Sequence, residues 1–313
     1  MFSFPLNGSG RLCDTPPEQT IGPGILTWAD SRGRETMATP DNWTAGDAYE
    51  SYMGRWSRLL AHSFIRWLQV RPGAKWLEVG CGTGALTDAI CELGEPASVL
   101  ACDPSESFVE HARLAQRDQR VSFVVGDAEA LPGAPRAFDC VVSGLVLNFV
   151  EDPVAAIRLM SGRLRSGGIV GAYVWDYGEG MELLRSFWDE AVALDASAAA
   201  HDEGRRFPLC KPDALGAAFA EAGLGEISAE GLEISTVFQE FEDFWIPFLR
   251  GTGPAPSYVA SLSREGRDQL RNRLSDRLRP DVGGNIRLKA RAWAVRARSH
   301  GDATLQGDES DPC

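Results

Sequence analysis

Apolar residues along the chain recur with two alternating periods. Short apolar runs at Lys75–Val79, Ser98–Cys102, Val121–Val125, Phe138–Ser143 and Ile169–Trp175 read as buried strands. Between them the period lengthens to that of a helix. Leu86, Ala89, Ile90 and Leu93 share one face of Ala85–Leu93, which Gly94 stops. Ser105 is placed to cap a helix burying Phe108, Val109 and Ala112. Asp152-Pro153 supplies a cap and a first-turn proline for a helix running to Leu164, ended by Gly167-Gly168. Strand–helix alternation of this kind predicts an α/β fold, a parallel sheet covered on both faces.

After Trp175 the rhythm changes. Helices are expected over Met181–Leu194 and Pro212–Ala222, and strands over Glu226–Phe238 and Ile286–Arg296. Residues 178–210 and 239–280 are helical insertions larger than α/β connections usually are. Leu270, Leu274 and Leu278 mark an amphipathic helix whose arginines form a solvated face. Residues 1–46 are rich in Gly and Pro without periodicity and are expected to form a flexible arm. Residues 301–313 are expected to be an acidic tail, leaving 47–300 as the folded domain. Met37, just before the first helical pattern, is an alternative candidate for the start of translation.

Composition narrows the class of partner. The net charge of −13 over 313 residues opposes a phosphate backbone, so nucleic acid is not expected. No apolar run reaches the ~18 residues of a membrane span, and MFSFPLNGSG lacks the basic leader of a signal peptide. Seven cysteines without C-x-x-C or paired histidine spacing argue against a zinc site and suit a reducing cytoplasm. The four histidines are His62, His111, His201 and His300, and none is a clear base. His201, near Arg205 and Arg206, is the least implausible of them.

The strongest chemical signal is Glu78-Val79-Gly80-Cys81-Gly82-Thr83-Gly84 between a strand and a helix. Three glycines at alternate positions let a ligand approach the backbone, and the helix N-terminus presents free N–H groups to it. Gly80-x-Gly82-x-x-Ala85 with Asp103 also satisfies a dinucleotide pattern. Glu78 opposes a pyrophosphate, however, and Asp127 adds a third acid at a third strand end. Three such carboxylates suit a ligand with a cationic centre, a ribose and an adenine amine, which is S-adenosylmethionine.

The ordered series LEVGCGTG, ACDPSES, VVGDAEALP, FDCVVSGLVLNFVEDP and LRSGG resembles the class I S-adenosylmethionine-dependent methyltransferases. Within them it is most similar to the small-molecule branch of ubiquinone and menaquinone biosynthesis, closely over 47–175 and only in layout beyond. The resemblance implies a Rossmann-like, doubly wound, seven-stranded sheet. It is mostly parallel, with an antiparallel last strand, and the helical insertions form a lid. The implied activity is in-line methyl transfer to a small-molecule acceptor. A dinucleotide-dependent oxidoreductase and a non-catalytic S-adenosylmethionine-binding subunit are the alternatives.

By position, the resemblance implies that Gly80, Gly82 and Gly84 admit the methionine part and that Glu78 holds its amino group. Asp103, followed by Pro104, takes the ribose hydroxyls. Asp127 and the Ala128 N–H meet the adenine, and Ser143 borders the methyl. The leading segment is expected to cover the cofactor, with Arg55 at its carboxylate and Tyr49 or Tyr52 over the sulfonium. Packing of the same helix on the sheet through Tyr52, Trp56, Leu59 and Leu60 is the competing role. Trp175, Tyr177 and Trp245 are candidates for an apolar acceptor pocket. From the sequence, Asp103→Ala is expected to weaken cofactor binding and leave the fold intact. The fourth strand ends Ser143-Gly144-Leu145-Val146, not in the Asn/Asp-Pro-Pro-aromatic motif of enzymes that methylate planar amines in nucleic acids or glutamine.

Overall fold

A computed structural model describes residues 50–250 and 253–299. The arm at 1–46, Tyr49 and the tail at 301–313 lie outside these residues. A π-helical turn, Glu50–Gly54, leads into α1 (Arg55–Leu68). The nucleotide-fold half follows as β1 (Lys75–Val79), α2 (Ala85–Leu93), β2 (Ser98–Asp103), α3 (Glu106–Ala115), β3 (Val121–Val125), β4 (Phe138–Gly144), α4 (Pro153–Arg163) and β5 (Leu164–Trp175). The remainder is α5 (Glu182–Leu194), α6 (Glu203–Arg206), α7 (Pro212–Glu221), β6 (Gly225–Phe238), α8 (Phe241–Trp245), α9 (Pro254–Ser261), α10 (Arg264–Arg277) and β7 (Ile286–Arg298).

The seven strands form one sheet in the order β3-β2-β1-β4-β5-β7-β6. Neighbouring strands from β3 to β5 are parallel, and β7 runs antiparallel to both β5 and β6. The order reverses at β1, so β1 and β4 diverge to opposite sides and open a crevice at their C-terminal ends. The predicted sheet and its antiparallel last strand are both present.

Local chemistry sets the element ends. Ser105 Oγ accepts from the Phe108 N–H at 3.4 Å, and Asp152 Oδ1 accepts from the Ala155 N–H at 2.9 Å. Gly94 donates to Ile90 O and stops α2. Two expectations need correction. β5 starts at Leu164, so Gly167 and Gly168 lie inside the strand; a register shift between Phe138 and Cys140 accommodates the pairing. Leu93, in the last turn of α2, is 37% exposed, whereas Leu86, Ala89 and Ile90 of the same face are buried.

The core sits on both faces of the sheet around fully buried Trp76, Phe64, Tyr173 and Phe219. On α10, Leu270 and Leu274 are buried as expected, but its arginines are not simply solvated. Arg273 meets Glu190 at 2.7 Å, Arg277 meets Asp189 at 2.7 Å, and Arg271 meets Glu242. These pairs are partly exposed, so each adds well under ~1 kcal/mol and chiefly fixes register between the insertions.

Candidate active site

A cavity of about 370 Å³ opens at the C-terminal ends of β1, β2, β4 and β5. Its floor is the glycine loop. Gly80, Gly82 and Gly84 all have positive φ, at +77°, +51° and +94°. The Gly80 and Cys81 N–H groups donate to Cys102 O at 2.8 and 2.9 Å, pinning the loop to β2. A Cβ on Gly80 would lie 2.3 Å from Val146 Cγ2. Gly80→Ala is therefore expected to destabilise the chain by about 1–3 kcal/mol through strain and overlap. It should also displace the loop from any ligand; thermal melting with and without ligand checks both.

Two buried carboxylates flank the loop. Asp103 is 7% exposed. Its Oδ2 accepts from Gly82 N–H and its Oδ1 from Ser105 N–H, each at 2.9 Å. Burial pushes its carboxyl up, against those two bonds. Glu78 is 1% exposed and accepts from Thr87 Oγ1 at 2.5 Å. Burial is the main force on it, with Asp88 and Asp103 adding like charge, and its carboxyl is pushed up to about 8. A cation brought beside it would favour its ionised form.

The other predicted residues divide. Pro104, Trp175 and Tyr177 line the cavity with Glu78, Gly80, Gly82 and Asp103. Gly84 starts α2, closing the loop by donating to Cys81 O at 2.9 Å. Ser143 is fully buried and donates to Val79 O at 2.9 Å, tying β4 to β1 behind the wall. Asp127 is exposed and its Oδ1 takes the Glu129 and Ala130 N–H groups at 2.9 and 2.7 Å; it holds its own turn, with Ala128 tucked beneath. Neither Asp127 nor Ala128 lines the cavity.

Arg55 does not turn toward the cavity. Its Nη1 pairs with Asp243 at 2.8 Å, and its guanidinium lies over the rings of Trp56 and Phe238. Tyr52 is buried edge-on against Phe248 at 5.3 Å between ring centres. The packing role of the leading helix therefore accounts for both residues, although Leu59 is exposed. Trp245 is buried near Phe248 and also lies off the cavity.

The structure adds residues to which the sequence gives no clear pointer. Met53 and Ser57 bring the leading helix to the cavity after all. Glu50 accepts from Thr83 of the glycine loop and from Arg58, whose other nitrogen meets Asp88. Phe108, Leu145, Val146, Phe149 and Tyr173 complete an apolar wall. Leu145 has a φ of +63°, held by its N–H bond to Tyr173 O at 2.8 Å. The only sequence signal for this strained corner is a glycine at a strand end. His201 is exposed against Tyr258, and among the described residues no histidine lines the cavity. No cluster of three potential metal ligands occurs among the described residues.

Comparison with known proteins bears on this geometry. Residues 77–171 match the methyltransferase domain family. A ubiquinone biosynthesis O-methyltransferase of Xanthomonas campestris is 41% identical over 103 residues, 31% of this chain and 41% of that protein. A ubiquinone/menaquinone biosynthesis C-methyltransferase of a Shewanella species is 38% identical over the same shares. The chain thus spans about two fifths of the length of these relatives. The solved Haemonchus contortus phosphoethanolamine N-methyltransferase 2, in complex with S-adenosyl-L-methionine, superposes with a TM-score of 0.51 at 18% identity. That match covers 82% of this chain and 56% of the other, and shows a shared fold. Through residues 77–171 the chain resembles the class I S-adenosylmethionine-dependent methyltransferases, and ubiquinone and menaquinone biosynthesis enzymes are among its relatives.

Proposed function

We propose that the chain is an S-adenosylmethionine-dependent methyltransferase acting on a small-molecule acceptor. The observation that carries this reading is the pair of buried carboxylates, Glu78 and Asp103, on either side of a loop with no Cβ at its closest points. That donor set fits the cofactor: an acid with no cationic partner among the described residues for its ammonium, and a second acid at the next strand end for its ribose. When bound, the cofactor supplies a methyl group already activated on a sulfonium.

The chain's own part is positioning and exclusion of water. Gly80 and Gly82 admit the ligand backbone-close, while Glu78 receives the positive charge. Asp103 keeps lone pairs for hydroxyls while it holds the loop. Leu145, Val146, Phe149, Trp175 and Tyr177 then form the wall against which an acceptor lies. This wall carries no charged side chain, which favours an apolar acceptor face. Asp127 and Ala128 would hold the adenine, and Ser143 would act only through the backbone it fixes. Tyr52 and Arg55 would support the cover, and Trp245 would act from behind Phe248. A cytoplasmic location suits the class. No helix among the described residues is long and apolar enough to cross a membrane.

Calorimetry with S-adenosylmethionine, S-adenosylhomocysteine and NAD tests the cofactor. Binding of the first two without NAD is expected. NAD binding with no response to the others would replace this reading by that of an oxidoreductase. Transfer of labelled methyl to a panel of phenols, quinols, amines and acidic carbons separates an enzyme from a non-catalytic binding subunit.

A further inference from the structure

Glu203 is a carboxyl that, among the described residues, neither the cofactor cradle nor an ion pair uses. It is 3% exposed, and Trp188 Nε1 of α5 donates to it. It begins α6, the one-turn helix of the first insertion. This turn is pressed onto the end of β5: a Cβ on Gly204 would lie 2.7 Å from Tyr177 O. At its other end the Phe207 N–H donates to Glu203 O. The Phe207 ring packs 5.1 Å from Phe149 and 5.7 Å from Tyr177, both of which line the cavity.

A third element meets this joint from the leading segment. Tyr52 is fully buried, and its hydroxyl has no hydrogen-bond partner among the described residues. The charge of Glu203 acts on it and, after burial, helps to push that phenol further up. The next residue, Met53, lines the cavity. Glu203 therefore lies where α5, α6 and the leading turn converge, one layer behind the aromatic wall.

We propose that Glu203 is a positioning residue whose protonation holds the Phe207–Phe149–Tyr177 wall closed and whose ionisation releases it. The wall is an acceptor wall only on the reading given above; the joint itself does not depend on that reading. In the neutral form one carboxyl oxygen keeps the indole bond, and the buried joint beside Tyr52 carries no charge. In the ionised form a charge is left in a buried site whose donors, the Trp188 indole and the Glu203 backbone N–H, are both neutral, which favours opening to water.

The facing charges agree with this. Asp202 disfavours the ionised form, Arg185 favours it, and these two are paired with each other, leaving little net field. Arg205 lies outward, 3.9 Å from Asp202. Burial dominates, and the Glu203 carboxyl is pushed up to about 7. The closed state thus binds a proton that the opened state, with an ordinary carboxyl, does not. Opening becomes easier as pH rises toward 7 and levels off above it.

Amide hydrogen exchange of the full chain at pH 5.5 to 8.5 tests the proposal. For amides of 203–210, exchange should rise about a hundredfold per pH unit below 7. Above 7 it should rise about tenfold, the intrinsic chemical rate. Glu203→Gln should show the tenfold dependence throughout, with amides of β1 unchanged. An unbroken tenfold slope in the wild type, or the same break in Glu203→Gln, overturns the proposal. Should Glu203→Gln fail to fold, Trp188→Phe removes the donor that favours the carboxylate and must move the break to higher pH; an unmoved break also overturns it. A break that persists in a chain failing to bind S-adenosylmethionine would sink the methyltransferase reading and leave the joint standing.

Discussion

Binding of S-adenosylmethionine at pH 7 should release close to one proton. Glu78 is buried with its carboxyl pushed up to about 8, so the free protein holds it mostly neutral at pH 7. A bound ammonium reverses the balance and leaves it ionised. Calorimetry in two buffers of different protonation enthalpy reads the proton directly. Affinity should rise with pH between 6 and 7, approaching tenfold per pH unit. Glu78→Gln should abolish the release and weaken binding by at least tenfold, about 1.4 kcal/mol. A buffer-independent enthalpy in the wild type would refute the assignment of Glu78 to the cofactor cation.

The same carboxyl makes the free protein less stable as pH rises from acid toward 8. Its folded value lies above the ordinary 4.5, so the folded state binds more protons than the unfolded one between about 4.5 and 8. Stability in the absence of cofactor should fall across that window by a few kcal/mol, at about 1.4 kcal/mol for each pH unit crossed. Glu203 contributes in the same direction up to about 7. Denaturant melts at pH 5.5 and 8 with and without cofactor would show the loss and its recovery.

Asp103→Ala should be more damaging than the sequence suggests. A strand-end acid looks dispensable to the fold, yet both of its carboxylate oxygens hold backbone N–H groups, those of Gly82 and Ser105. Burial disfavours the charge itself, but removing the side chain leaves two backbone N–H groups without their acceptor, at roughly 1–3 kcal/mol each. Melting should therefore reveal a loss of about 2–3 kcal/mol even without ligand. Cofactor affinity should fall by more than the ribose contact alone explains, since the Gly82 turn loses its anchor. Asp103→Asn, which keeps one acceptor, should recover part of the stability. An unchanged melting temperature in Asp103→Ala would contradict the anchoring role.

What the sequence could and could not show follows from range. Lys75–Val79 and Val121–Val125 appear with the bounds read from their apolar runs, because each is ended by a glycine, Gly80 or Gly126, and that signal is local. The glycine loop was legible for a similar reason: its chemistry is local. Arg55 was not. Its partner Asp243 lies 188 residues away, and nothing within its own helix distinguishes a guanidinium turned to the ligand from one turned to a distant acid. Asp127 shows the opposite case, since its Oδ1 takes the N–H groups of Glu129 and Ala130 two and three residues on, and a turn of that kind looks the same in sequence as a ligand contact. Glu203 and Phe207 escaped because a four-residue helix has no period to read. Gly204, between an acid and two arginines, was the one local sign of close packing there.

The position of β7 also shapes how the chain can fold. It follows β6 in sequence but lies between β5 and β6 in the sheet. Among the described residues β6 pairs with no other strand, and its register with β7 runs from Gly225↔Arg298 to Phe238↔Ile286. Until Ile286–Arg298 has been made, β5 presents a free edge and β6 has nothing to join. The cofactor cradle, built from strands β1 to β5, can therefore form as a local parallel unit well before the sheet is closed. An unpaired strand edge is a template for other chains. Its late capping makes the hydrogen bonds between β5 and β7 the step at which correct assembly and aggregation compete during synthesis. Ligand that reaches the early cradle would stabilise the half-built sheet while it waits for its final strand.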